Sequence, residues 1–309
     1  GLELAELLGR KGLVPKATAD AAAAAYRSVL RNAVDLGDGK LSLSEAHWRL
    51  LYPFYNRRLY VHPSPRVTAP AVRRDGYVHV ESSGGDVYSR AGGLLENGGV
   101  LVVDNVLSPA ALQGLREFAE LSTIWFKDYE GYLGAMMWSG WTSPLLAQIA
   151  EEFRAAFPDI LCDLALQYVW AFKYDDLVQS GIKTHADEAS VNINLWITPD
   201  DDNLEQESGG MVIYDATAAG TNLTAQDYIN PSPDAGIESD RLLAEKGYRS
   251  LTVPHKQNRA VIFESMRLHH TQPFRFRPGL RSRRINLTFL YGHEGAYCPG
   301  RRTLEELLV

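Results

Sequence analysis

Hydrophobic and polar positions along this chain follow two periods. Up to about residue 160 the apolar residues recur at helical spacing, in blocks closed by serine, glycine and proline. Ala17 to Leu36 predicts an alanine-rich helix, with Asp20 as a possible cap and Gly37 as its stop. Ser42 or Ser44 opens a short second helix whose apolar face is Trp48, Leu51 and Tyr52, ended by Pro53. Between them, Asp38 to Glu45 resembles the second half of a calcium loop. Val34 and Leu36 would fall on its first ligand positions, so a plain turn is the better reading. Pro63-Ser64-Pro65 and Pro70 mark a linker, and three Gly-Gly pairs predict irregular chain over 62–99. Val100 to Val103 is a short buried strand. Ser108-Pro109 and Ser143-Pro144 each place an N-cap before a first-turn proline, opening helices to about Leu121 and Phe157.

From Leu164 onward the period becomes that of strands. They are predicted over 164–174, 191–197, 211–214, 250–254, 259–264 and 284–291, with Gly209-Gly210 as a turn and 215–249 as a long polar, partly helical insertion. Serial short strands of this kind predict a β-sandwich or barrel, with the preceding helices bracing one outer face. The division follows: a helical extension over 1–62 and a main domain over 63–309. Val191, Ile193, Leu195 and Ile197 form one apolar face. Asn192, Asn194 and Trp196 form the other, which is either a pocket lining or an exposed strand face.

Composition narrows the function classes. A net charge of −7 argues against a nucleic-acid footprint, which needs clustered positive charge. The arginines at 275, 277, 281, 283 and 284 form a short mixed cluster better suited to an anionic small ligand. Two cysteines, Cys162 and Cys298, are too few for a disulfide framework or a Cys-rich zinc site, and set a reducing, cytoplasmic expectation. No apolar run approaches the roughly 18–20 residues that span a bilayer, so no membrane partner is expected.

The chemistry centres on Thr184-His185-Ala186-Asp187-Glu188. On extended backbone His185 and Asp187 share a face. A second histidine, His269, follows far downstream in Leu268-His269-His270-Thr271-Gln272-Pro273. Two histidines and one carboxylate, with coordination positions left open, is the ligand set of non-haem Fe(II) oxygenases. Arg284, Asn286 and Thr288 alternate onto one face. A guanidinium aimed into a buried pocket needs an anionic partner, which a dicarboxylate co-substrate would supply. The remaining histidines, His47, His62, His79, His255 and His293, sit in no ligand-like spacing.

Together His185-Ala186-Asp187, the later histidine segment and Arg284-Ile285-Asn286 resemble the Fe(II)/2-oxoglutarate-dependent oxygenases, in their prolyl-hydroxylase-like and phytanoyl-CoA-hydroxylase-like branches. The resemblance spans roughly residues 100–295 and implies an α+β fold with a double-stranded β-helix (jelly-roll) core. It implies iron held by His185, Asp187 and His269, the last chosen because it lies four residues before Pro273. It implies that Arg284 binds the distal carboxylate of 2-oxoglutarate, with Asn286 where the family often has serine. Trp196 and Tyr174 match an aromatic beyond the motif and one before it, Asn194 joins them in the pocket, and Gly209-Gly210 looks like the family's glycine pair. Arg284 lies further past the distal histidine than is usual, so Arg281 or Arg283 could take its role. The implied cofactors are Fe(II), 2-oxoglutarate and O2, and the implied outcome is hydroxylation, with desaturation or ring formation as alternatives. Related halogenases carry a small residue at the position of Asp187.

Three rivals differ in kind: a protein hydroxylase docked by the N-terminal helices, a cupin-type iron dioxygenase without co-substrate, and a non-catalytic β-sandwich binding module. The insertion at 215–249 is long enough to act as a lid. Its Asp215, Asp227, Asp234, Glu238 and Asp240, with Asp200-Asp201-Asp202 nearby, would make an acidic entrance suited to a small polar substrate bearing an amine, such as an amino acid or a natural-product intermediate; a solvated acidic surface is the plain alternative.

Overall fold

The elements that position the cavity are strands buried on both faces. A computed structural model describes residues 1–37, 40–73, 78–81, 99–129, 131–175, 181–217, 241, 243 and 245–293. Among these the strands are β1 (Val34–Gly37), β2 (Lys40–Ser42), β3 (Val78–Glu81), β4 (Val100–Asp104), β5 (Lys127–Tyr129), β6 (Tyr132–Met136) and β7 (Leu166–Tyr174). They continue with β8 (Val191–Trp196), β9 (Met211–Thr217), β10 (Ser250–Val253), β11 (Arg259–Glu264), β12 (Arg267–Thr271) and β13 (Ile285–Tyr291). One antiparallel sheet has eight strands in the order β3-β4-β11-β8-β13-β7-β6-β5; a second has β10-β9-β12; β1 and β2 form a separate hairpin. Met211, Ile213 and Val253 of the smaller sheet share one core with the larger sheet. The fold is α+β with a jelly-roll core.

Helices α1 (Leu2–Arg10), α2 (Lys16–Asn32), α3 (Glu45–Leu51), α4 (Pro109–Leu121), α5 (Pro144–Ala156) and α6 (Pro158–Leu161) precede most of the strands. Helix α4 begins where Ser108 Oγ accepts from the Ala111 amide at 3.4 Å; α5 begins where Ser143 Oγ accepts from the Leu146 amide at 3.1 Å. Their apolar stripes, including Leu115, Phe118, Ile149 and Phe153, bury against Val169, Ala171, Ile193, Leu195, Leu287 and Phe289 on the outer face of the large sheet. Each fully buried side chain of this size contributes roughly 1.5–3 kcal/mol. Every residue of β8 and β13 is therefore buried, although both sequences alternate. Asn192 and Asn194 do not face solvent.

The N-terminal region departs from expectation in several places. Helix α1 was not legible in the sequence, and α2 starts after Pro15 rather than at Asp20 and ends at Asn32. Val34–Gly37 is a strand because Val34 and Asp35 pair with Ser42 and Leu41 of β2. Helix α3 does begin at Ser44, which accepts from the His47 amide. Of its expected apolar face only Leu51 is buried; Trp48 and Tyr52 are exposed. Val78–Glu81 pairs with β4 inside the stretch expected to be irregular, and 82–98 lie outside the described residues. The proline-rich segment is tied down: Leu59 and Tyr60 amides donate to Thr123 Oγ1, and the His62 amide to Ser122 Oγ. Leu8, Val14 and Ala19 pack with Leu121 of α4. Cys162 is disulfide-bonded, which sits poorly with the reducing setting inferred from the cysteine count. No helix among the described residues is long and apolar enough to cross a membrane.

Asp104 closes the edge of the core. It is buried, accepts from Arg259 Nε at 2.6 Å and Nη2 at 3.1 Å, and accepts from Lys256 Nζ at 2.7 Å. Burial alone would raise its pKa, but the two cations outweigh that and hold the carboxyl below its ordinary value. Asp104→Ala would leave Arg259 with no carboxylate beside it and is expected to cost about 3–5 kcal/mol, read as a fall in the urea midpoint. The lowered pKa gives the sign in acid: this contribution is present above the unfolded value near 3.8 and is lost as pH falls through the folded value.

Candidate active site

The backbone brings the two histidines together. His185 and His269 form an antiparallel bridge in which each amide donates to the other's carbonyl, at 3.0 and 2.9 Å. Their rings lie 4.2 Å apart. Asp187, two residues on, is held by its amide to the Ser265 carbonyl and by Ser265 Oγ to its own carbonyl. One ligand atom from each of His185, Asp187 and His269 lies within 4.8 Å of the others.

The protonation pattern suits a cation. His185 Nδ1 sits 2.7 Å from the Lys183 carbonyl and His269 Nδ1 sits 2.8 Å from the Arg267 carbonyl. A carbonyl only accepts, so each Nδ1 carries a proton and each Nε2 is the atom turned towards Asp187 and able to serve as a metal ligand. These Nε2 atoms lie 3.9 and 3.6 Å from the Asp187 carboxylate. Burial, and then the neighbouring His269, push the His185 pKa down to about 4, so the ring is neutral at pH 7. Burial opposes the charge of Asp187, yet the His269 contact, both imidazoles and the Asn192 amide together keep its pKa below the ordinary value. Two imidazole nitrogens and one carboxylate can hold a divalent metal and leave positions open.

The other predicted residues except Tyr174 line the same cavity, a space of about 760 Å³ between the two sheets. Asn194, Trp196, Arg284, Asn286 and Thr288 all reach it. Arg284, Asn286, Asn194, Asn192 and Asp187 form a chain of hydrogen bonds running from cation to anion. Arg284 Nη1 donates to Asn286 Oδ1 (3.1 Å), Asn286 Nδ2 to Asn194 Oδ1 (3.3 Å), Asn194 Nδ2 to Asn192 Oδ1 (2.7 Å) and Asn192 Nδ2 to Asp187 Oδ2 (2.8 Å). Each amide is oriented by its neighbour, so the line has one direction.

Arg284 is 3% exposed and has no carboxylate partner among the described residues. Its Nε donates to the Gly209 carbonyl (2.6 Å) and Nη2 to the Gly210 carbonyl (3.2 Å). The Tyr174 ring lies 4.6 Å from the guanidinium carbon. Tyr174 thus touches Arg284 rather than lining the cavity. Gly210 must be glycine, since a Cβ there would lie 1.8 Å from the Val253 carbonyl oxygen. Of the competing arginines, Arg281 pairs with Glu120 and Arg283 lies 3.9 Å from Asp175; neither lines the cavity. His270 lines it, with Nδ1 3.1 Å from Thr184 Oγ1. Sequence reasoning missed Lys183, Thr271 and an aromatic group on β5 to β7. The alternating Tyr168, Trp170, Phe172 and Tyr174 were the available signal for the last.

The acidic entrance is not seen among the described residues. Asp215 pairs with Arg249, and Asp200 accepts from the Gln257 amide. Neither lines the cavity. Asp227, Asp234, Glu238, Asp240 and most of the expected lid lie outside the described residues.

His255, read from sequence as unremarkable, is buried behind Arg284 with both ring nitrogens unpartnered. Burial, then the charges of Arg284 and Arg259, lower its pKa to about 3. Between about pH 6.5 and 3 the unfolded chain binds a proton that the folded chain refuses. Stability is therefore expected to fall with acidification across that window, by up to about 1.4 kcal/mol per pH unit. His255→Gln should flatten that slope in pH-dependent urea melts.

No protein-family model matches the chain, and no curated protein matches it. Solved structures are similar at low identity. HygX from Streptomyces hygroscopicus, with nickel and 2-oxoglutarate bound, is 13% identical over 64% of this chain and 84% of its own, with a TM-score of 0.41. The non-heme alpha ketoglutarate dependent carbocyclase SnoK from nogalamycin biosynthesis is 12% identical over 74% of this chain and 93% of its own, at 0.45. The viral collagen prolyl hydroxylase vCPH from Paramecium Bursaria Chlorella virus-1, as its 2OG complex, is 11% identical over 63% of this chain and 96% of its own, at 0.38. Likenesses this distant bear no functional weight; the side chains of the cavity carry that.

Proposed function

We propose that the protein is an Fe(II)/2-oxoglutarate-dependent dioxygenase acting on a small molecule, with hydroxylation as its default outcome. One observation carries this. A two-histidine, one-carboxylate group and a guanidinium that is buried without an anionic partner among the described residues share a single cavity and are joined by a continuous hydrogen-bond line. A metal-binding sandwich without a co-substrate has no use for such an arginine, whose burial without a counter-charge costs stability.

Ferrous iron, bound with 2-oxoglutarate and O2, supplies a two-electron oxidation in which 2-oxoglutarate leaves as succinate and carbon dioxide. The chain's own residues then have definite tasks. His185 and His269 would offer Nε2 to the metal, because their Nδ1 atoms are held by the Lys183 and Arg267 carbonyls. Asp187 offers a carboxylate whose Oδ2 is oriented by Asn192. Its presence also fills the space that a halide would need. Arg284 keeps N–H groups beyond those given to Gly209, Gly210 and Asn286 for one carboxylate of the co-substrate, and the Tyr174 ring fixes the plane of its guanidinium.

The direct test is anaerobic loading with Fe(II), then oxygen, with succinate and oxygen consumption measured with and without 2-oxoglutarate. Succinate formation that requires both iron and oxygen, at least as slow turnover without substrate, is expected. Oxygen uptake that ignores 2-oxoglutarate would favour a cupin-type dioxygenase instead.

A further inference from the structure

The cavity is divided by chemistry. Its β8 and β13 side is polar and adjoins the His-Asp-His group, whereas its β6 and β7 side is a wall of aromatic rings. On β7, Tyr168, Trp170 and Phe172 alternate onto the cavity face, and exposure falls along the strand. Tyr168 is 43% exposed, Trp170 and Phe172 are half-buried, and Tyr174 at the Arg284 end is 1% exposed. Trp138, 68% exposed, meets Tyr168 edge-on with centroids 6.3 Å apart. Deeper in, Tyr132 stacks on Tyr129 at 4.7 Å and 11° and meets Phe172 edge-on at 5.2 Å. Gly134, opposite Phe172 in the register, makes room for this: a Cβ there would lie 3.0 Å from the Tyr129 ring and 2.8 Å from the Met136 methyl.

Neither the metal ligands nor the Arg284 anchor needs this wall. Two large rings stand at the outer end of it in water, in line with buried ones, where a structural role would have covered them. We propose that the wall is the substrate's binding face and that the substrate carries a planar aromatic ring system. The ring would enter at Trp138 and Tyr168 and lie along Trp170 and Phe172, turning an adjacent carbon towards the His-Asp-His group. That last clause rests on the dioxygenase reading; the binding of the ring does not.

The chemistry selects the ring type. Stacked and edge-on aromatic faces add about the same increment for another π face beyond simple area burial, an increment an aliphatic ring does not receive. A saccharide would need hydrogen-bonding side chains around its rim. Beside Tyr168, Trp170 and Phe172 in the register of β13 stand Leu290, Thr288 and Asn286, and the last two are already hydrogen-bonded to Asn194 and Arg284. The volume, about 760 Å³, is that of a small-ligand cavity and leaves room for a bicyclic compound beside a dicarboxylate.

The test is binding of 2-naphthol, quinoline and indole to the full chain, by ligand-observed saturation-transfer NMR, with cyclohexanol and methyl glucoside as controls. The same measurements are made on Trp138→Ala/Tyr168→Ala, whose replaced side chains are exposed enough for the fold to survive. Binding of the planar compounds, weakened about tenfold in the double variant, is expected. A 2-oxoglutarate titration of both Mn(II)-loaded proteins runs in parallel and should be unchanged by the substitutions. Failure of all three planar probes, equal binding of cyclohexanol, preferential binding of methyl glucoside, or indifference to the double substitution would each overturn the proposal. Loss of 2-oxoglutarate binding in the wild-type chain, with aromatic binding intact, would instead count against the dioxygenase reading alone.

Discussion

Asp187→Ala is expected to abolish succinate formation and to weaken Mn(II) binding by at least about 100-fold, while the thermal midpoint moves by only a few degrees. The carboxylate is the sole anion of the three-residue group, so its loss leaves a divalent cation with two imidazole nitrogens. Changes to residues that merely orient such ligands cost 10–100-fold, and removal of the charged ligand itself should exceed that. The fold should tolerate the change. Alanine gives up the side-chain bond from Asn192, but the backbone contacts of residue 187 to Ser265 remain available. Calorimetric titration with Mn(II), beside a circular dichroism melt, separates the two effects. Asp187→Asn should also fail to bind metal tightly, since the amide keeps the shape but not the charge.

Arg284→Met is expected to raise the 2-oxoglutarate KM or Kd by about 150- to 4000-fold and to leave Mn(II) affinity nearly unchanged. Truncating one partner of a buried charge pair costs about 3–5 kcal/mol, which sets the range. In the protein without co-substrate the same change should be close to neutral in stability. It removes a buried cation with no carboxylate beside it, against the loss of bonds to Gly209, Gly210 and Asn286. Arg284→Lys keeps the charge but not the fork, and should fall between the two. A metal-affinity loss as large as the 2-oxoglutarate loss would mean that the guanidinium acts on the metal ligands through the amide line.

The site was more legible than the scaffold. His185, Asp187 and His269 are spaced so that only a non-local bridge joins them, yet residue type and order carried the reading. Arg284, Asn286 and Thr288 were placed on one face by strand alternation alone. Alternation could not settle whether Asn192 and Asn194 faced water, because helices α4 and α5 cover the opposite face of the sheet and bury both sides. Which of Arg281, Arg283 and Arg284 reaches the cavity likewise depended on tertiary partners, Glu120 for the first and the Gly209-Gly210 carbonyls for the last. The N-terminal misreadings have a local cause: Val34 and Leu36 suit helix and strand alike, and pairing with β2 favoured the strand. Strands β5 and β6 were missed because Lys127–Tyr129 is short and Tyr132–Met136 contains Gly134, a weak strand former.

The most direct measurement is calorimetric titration of 2-oxoglutarate into the Mn(II)-loaded chain under anaerobic conditions, repeated without metal and with Arg284→Met. The account predicts one 2-oxoglutarate per chain, bound tightly only when Mn(II) is present and lost in the variant. No binding to the metal-loaded protein, or equal binding without Mn(II) and in Arg284→Met, would contradict it.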